Sequence, residues 1–124
     1  MRVQIFAGLV VAASTGIAGA QDGFRDSDVR LSQAALTEYL SGQILEFYSG
    51  GFGTYRADGS HDYRYSIQGE RVQGTYEVNT DSQVCTTFTN GFSRCDYVVL
   101  AGERYVMIIE NGERYPIRTR SAIE

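Results

Sequence analysis

This chain contains no lysine and no tryptophan, and among its 124 residues it has one proline, Pro116, and one histidine, His61. With lysine absent, all 11 basic residues are arginines, so every fixed positive charge is a guanidinium carrying a planar fork of donors. The 15 acids outnumber them and set a formal net charge of −4. That leaves no basic footprint for nonspecific nucleic-acid binding, which excludes nucleic acid as a partner, and it disfavours adhesion to anionic lipid. A lone C-x9-C spacing with a single histidine elsewhere is a poor zinc signal, so no metal site is expected. HExxH, a phosphate loop and the Ser or Cys nucleophile motifs are missing as well. Glu70, Glu77, Glu103, Glu110 and Glu113 fall at expected turns or on outward faces, where they are better explained by solvation than as a glycosidase pair. Asp22, Asp26 and Asp28 lack the spacing of a calcium loop. No cofactor is implied.

Long apolar runs are scarce. One, Val3 to Ile17, follows Arg2 and precedes the small-residue triplet Ala18-Gly19-Ala20. That layout reads as a signal peptide over residues 1–20, cut near Ala20, which places the remainder in the periplasm or outside the cell. The run is too short for a transmembrane segment, which needs roughly 20 apolar residues, and nothing later approaches that length. Removing the leader takes Arg2 with it and leaves a formal charge near −5 on about 104 residues, enough for one small domain.

Residues 21–30 are polar and aperiodic and read as a flexible lead-in. The single β-barrel-like domain is expected over 31–124. A short helix opens it: Ser32 is the N-cap, Leu31 staples onto Leu36, and Gly42 supplies the left-handed stop. Leu36, Tyr39 and Leu40 give this helix one apolar stripe, with which it docks on the sheet as a plug or lid.

From Gln43 the period changes to two, with strands expected over 43–48, 52–56, 61–68, 71–79, 83–88, 93–100, 104–110 and 113–119. Tyr63, Tyr65 and Ile67 share one face, and Val72, Gly74, Tyr76 and Val78 share another. Asp58-Gly59 and Asn111-Gly112 suit hairpin turns that need positive φ, and Gly69 and Gly102 sit at two more. Gly-Glu-Arg occurs at 69–71, 102–104 and 112–114, each time before Val or Tyr. A turn glycine, two exposed charges and an inward apolar residue explain the repeat better than a ligand motif does.

Two cysteines remain after the leader, and an even count in an oxidising compartment points to a disulfide. A three-residue loop Thr89-Asn90-Gly91 makes Phe88 face Phe92 and Thr86 face Arg94. Cys85 then lands opposite Cys95, so turn chemistry, aromatic pairing and cysteine spacing agree on one register.

Eight short strands on tight turns force neighbour-on-neighbour pairing, an antiparallel meander. Curling it covers the apolar face and gives a small barrel or curled half-barrel, mainly β, with one short N-terminal helix. Pro116 cannot donate to a ladder, so closure between the first and last strands is expected to weaken there.

Tyrosine is the surplus, at nine residues. Tyr55, Tyr63, Tyr65, Tyr76, Tyr97 and Tyr105, with Tyr115 on the last strand, form either a hydrogen-bonded core or the wall of a semi-polar cavity. His61 beside Asp58 and Asp62 invites an acid–base reading, but residues 61 and 62 point to opposite sides of a strand. No catalytic residue is expected. Arg114, Arg118 and Arg120 form a stripe on the last strand that either guards an edge or meets an anionic partner. With Gly102 and Arg104 on the neighbouring hairpin, Arg114 and Arg118 make up the candidate interaction surface.

The run Gly53-Thr54-Tyr55, Asp58-Gly59, Gly74-Thr75-Tyr76 and then Cys85 and Cys95 resembles a family of small exported bacterial proteins known only as a domain of unknown function. The resemblance covers roughly residues 32–119 and implies a lipocalin-like β-meander after a short helix, with no active site carried over. Ala101-Gly102-Glu103-Arg104-Tyr105 is also faintly similar to the Ser-Gly-x-x-Tyr loop of periplasmic lysozyme inhibitors, but the serine is missing. Two functions follow as expectations. The first is a non-catalytic binding module holding a small apolar or amphipathic ligand. The second is an interaction or inhibitor protein that presents hairpin loops around Gly50-Gly51 and Gly102 to a periplasmic partner.

Overall fold

The computed structural model describes residues 23–124, so the expected signal peptide over 1–20 lies outside the described residues. The helix α1 (Gln33–Leu40) begins where Ser32 Oγ accepts the Ala35 N–H at 3.2 Å. Leu36, Tyr39 and Leu40 fall on one face at helical spacing and are buried. The chain leaves the helix through Gly42 at φ +76°, a left-handed conformation that costs glycine nothing. Eight residues cannot hold a helix alone, so its stability comes from packing. Leu36 and Leu40 join Leu45, Val84 and Val98 in one buried cluster, which fills one end of the sheet as a plug.

That sheet contains β2 (Gln43–Phe47), β3 (Phe52–Tyr55), β4 (Ser60–Arg64), β5 (Arg71–Val78), β6 (Val84–Phe88), β7 (Ser93–Ala101), β8 (Arg104–Ile108) and β9 (Arg114–Ala122). Each pairs antiparallel with the next, and β9 returns to β2 through Ile117↔Phe47 to Ala122↔Gln43. Eight antiparallel strands therefore close into a barrel, with an additional two-residue strand, β1 (Val29–Arg30), paired to β7 on the outside.

Five hairpins share one turn. The backbone N–H of the fourth residue bonds the carbonyl of the first in Phe47–Gly50, Arg56–Gly59, Asn79–Ser82, Phe88–Gly91 and Ile109–Gly112. The fourth residue has positive φ in all five, and Ser82, at φ 62°, is the one that is not glycine. Short polar side chains reinforce these turns: Asp58, Asn79, Asn90 and Asn111 each accept a backbone N–H two residues on.

The cysteine hairpin takes the register expected of it. Cys85 pairs with Cys95, Thr86 with Arg94, and the two sulfurs are bonded. With a sequence separation of 10, the bridge restricts the unfolded chain by about 2–3 kcal/mol. The Cys85→Ser/Cys95→Ser variant is expected to keep the wild-type far-UV spectrum and lose that much stability in urea. A midpoint that does not move would show the hairpin to be fully specified without its sulfurs.

Four features depart from the expected pattern. The strand expected over 61–68 ends at Arg64, because residues 65–70 fold into a turn in which Gly69 N–H bonds Ser66 O and Arg64 donates to Ile67 O. Ile67 is consequently 66% exposed instead of facing the core with Tyr63. The last strand runs on to Ala122, since its second half pairs with β2.

The lead-in expected to be flexible is, from Gly23 on, docked on the barrel. Phe24 packs edge-on against Tyr97 over the outer cluster Val99, Val106 and Ile108, and Asp28 receives both arms of Arg114 at 2.7 and 3.2 Å. Finally, Pro116 does not prevent closure between first and last strands, because its carbonyl accepts the Tyr48 N–H and β2 pairs onward from Ile117, with one register shift between Ile117 and Thr119. The opening lies instead between β8 and β9, which pair only over Arg114–Pro116.

Candidate functional site

Alternation along the strands turns Phe47, Tyr55, His61, Tyr63, Thr86, Phe88, Arg94, Met107 and Tyr115 inward. The plug formed by α1 occupies one end of the barrel. Toward the other end these side chains enclose a cavity of about 580 Å³, with Ser49, Tyr65, Asn90 and Phe92 also among its lining residues. Two aromatic paths line it. Tyr65 meets Tyr63 edge-on at 5.0 Å and Tyr63 lies 6.4 Å from Phe47. On the other side Phe92 stacks on Phe88, Phe88 lies 5.6 Å from His61, and His61 lies 4.4 Å from Tyr55. Tyr65 is 75% and Phe92 53% exposed, so the aromatic lining continues onto the surface.

Three polar groups break this apolar wall. His61 is only 3% exposed, and its Nδ1 has no hydrogen-bond partner. Burial drives its pKa down to about 4, so the imidazole is neutral at pH 7. A buried, unpartnered ring nitrogen is uncommon and calls for an explanation in function or bound solvent. The Tyr55 hydroxyl, pushed upward by burial, stays protonated and can donate. Arg94 extends from β7, where its Nε donates to both oxygens of Asp96 at 2.8 and 3.0 Å. Its two Nη groups make no hydrogen bond among the described residues. Asp96 is fully buried, and desolvation raises its carboxyl to about 6 despite that guanidinium.

The arrangement offers hydrogen bonds within an apolar enclosure. It offers no acid–base pair on His61, because Asp62 lies on the outer face between Arg56 at 2.7 Å and Arg71 at 3.7 Å, and Asp58 is engaged by Ser60. Among the described residues no group of three His, Cys, Asp or Glu side chains is placed to hold a metal ion. No helix among them is long and apolar enough to cross a membrane.

The structure gathers only part of the tyrosine set. Tyr55 and Tyr63 line the cavity, and Tyr65 lines it from the turn after β4 rather than from a strand. Tyr76 packs against Tyr55, and its hydroxyl is committed to the Arg56 carbonyl at 2.7 Å, so it belongs to the core behind the wall. Tyr97 faces outward beneath Phe24 and Arg30, because β7 leaves β6 after Asp96 and its outer side is covered by the lead-in. Tyr105 lies at the β8–β9 opening, 4.5 Å from the Tyr39 ring.

The interaction set also divides. Gly102 forms the β7–β8 turn at φ 67°, and Arg104 and Arg118 lie over the Tyr48 ring. Arg114 is largely committed within the fold: Asp28 neutralises its charge, and Asp28 and the Gly23 carbonyl take three of its five N–H donors. Tyr115, one of the strand tyrosines, lines the cavity as well, and the lining residues that sequence reasoning missed, Phe88, Phe92 and Arg94, were each readable from the cysteine register, had Arg94 been allowed to face inward. No family model, no curated protein and no solved structure matches this chain.

Proposed function

We propose that this protein is an exported, non-catalytic binding module that holds one small, partly apolar ligand in the open end of its barrel. The observation that carries the reading is the cavity, walled by aromatics and lined by Arg94, whose hydrogen bonds to Asp96 use only its Nε. Its volume lies within the range of small-molecule sites, and its composition, apolar walls with a few placed polar groups, is what such sites share. The rings bury an apolar body, while the Arg94 Nη groups orient a polar end. Export agrees with the leader-like first 20 residues and with the Cys85–Cys95 bridge. The helix-then-meander order agrees with a lipocalin-like shape.

N-phenyl-1-naphthylamine, an uncharged fluorescent probe, tests this directly. Its emission is expected to rise on mixing with the full domain and to be lost in Ile109→Trp, which fills the cavity with an indole. The variant should keep the wild-type near-UV spectrum, apart from its added indole band. No rise with the wild type, or an equal rise with Ile109→Trp, would remove the cavity from consideration.

A further inference from the structure

The opening between β8 and β9 lies apart from the cavity and shares no lining residue with it. Past Pro116, β9 pairs with β2 alone, and Arg104 and Tyr105 of β8 pair with β7 alone. Two strand edges with unshared backbone groups therefore flank a groove of about 1300 Å³, partly lined by α1 through Ala35 and Tyr39. Unpaired edges are templates for another strand, and proteins ordinarily blunt them with charge or cover.

The charge here is predominantly positive. Arg25, Arg104, Arg114, Arg118 and Arg120, five of the 11 arginines, line this groove of a net-negative chain, against Glu38 and Glu103. Arg114 is neutralised by Asp28, and Arg120 donates to the carbonyls of Tyr39 and Glu38. Arg104 and Arg118 form no ion pair among the described residues. They lie 4.8 and 5.9 Å from the Tyr48 ring centre, a geometry that holds guanidiniums in place without cancelling their charge.

We propose that this seam receives an extended acidic segment of a partner polypeptide as an added strand. Backbone groups of the segment pair with the free edge of β8 or β9, and its carboxylates meet Arg104 and Arg118. A second copy of this chain does not fit the same place, because edge-to-edge pairing of two seams sets like guanidiniums against each other. Bidentate carboxylate recognition suits an all-arginine cluster better than point-charge attraction does.

Fluorescence anisotropy with a short synthetic peptide of alternating Glu and Thr, its Lys-Thr counterpart, and a Glu-Thr peptide N-methylated at every amide tests the proposal. The acidic peptide is expected to bind the full domain, and the basic one is not. Arg104→Glu/Arg118→Glu should weaken binding at least about tenfold, since both side chains are exposed and their reversal changes attraction into repulsion. N-methylation should cost about tenfold or more, because every amide that faces the receiving edge loses its strand hydrogen bond. Thermal melts of the double variant matching the wild type would show that folding is untouched, and N-phenyl-1-naphthylamine binding should not change. Equal binding of the N-methylated peptide would overturn strand addition. Binding of anionic vesicles or DNA without binding of the acidic peptide would overturn the choice of partner.

Discussion

Gly74→Val is expected to cost this barrel about 3 kcal/mol, at the upper end of what overpacking does to a close-packed interior. Gly74 sits in the middle of β5, paired on one side to His61 and on the other to Phe88. A Cβ added there would be aimed at the Thr87 carbonyl and would come within 2.9 Å of the Phe88 Cα. Both are backbone atoms of β6, so no side chain can rotate away, and the two strands must separate where the barrel is narrowest in tolerance. Gly91 is a useful contrast: its Cβ would meet open space, and only its φ of +93° resists substitution. Urea unfolding should therefore rank Gly74→Val well below Gly91→Ala in stability. An unchanged midpoint for Gly74→Val would mean that β5 and β6 are not packed as described. The same substitution should also abolish probe binding, because Phe88, on the displaced strand, forms part of the cavity wall.

Much of this architecture was legible because its local signals agree. Three of the five turns declare themselves through Asp58, Asn90 and Asn111 with their following glycines, and the cysteines add an independent check on register. The alternation Val72, Gly74, Tyr76, Val78 named the inner face of β5, and the structure leaves that face half-buried while the alternate residues are exposed. The capping Ser32 and the stripe Leu36, Tyr39, Leu40 did the same for the helix.

What failed to read correctly involves residues whose surroundings change along a single strand. β7 pairs with β6 through Asp96 and then runs between β1 and β8. Both Val98 and Val99 are fully buried as a result, and parity alone could not say which side Tyr97 would take. Arg94 and Asp96 reversed the usual polarity, because two inward charges two residues apart satisfy each other. Arg114 looked like part of an exposed stripe because its partner, Asp28, lies 86 residues away in a segment with no periodicity. Long-range ion pairs of this kind leave no trace in a window of neighbouring residues.

The buried imidazole and the buried carboxyl give this domain an unusual expected response to acid. For His61 the folded pKa of about 4 lies below the ordinary 6.5, so the unfolded chain binds the proton more readily. Its contribution to stability is therefore lost as pH falls from about 6.5 to 4. For Asp96 the folded value of about 6 lies above the ordinary 3.8, so the folded state holds the proton more tightly. Its contribution is present at low pH and is lost as pH rises through about 6. Each slope integrates to something on the order of 3 kcal/mol, and they oppose one another across nearly the same window. Asp28 and Asp58, held low by Arg114 and by Ser60, act at still lower pH. The wild type should therefore show nearly level stability between about pH 4 and 6. His61→Phe should become more stable on acidification, as Asp96 alone remains to titrate. Asp96→Asn should become less stable over the same range. Urea midpoints across that range test all three chains, and parallel curves would show that neither group is buried as described. Where the two slopes do cancel, the barrel stays folded while its interior changes charge. Below about pH 6 Asp96 takes up its proton, Arg94 is left uncompensated, and a ligand with an anionic end should be held more tightly there than at neutral pH.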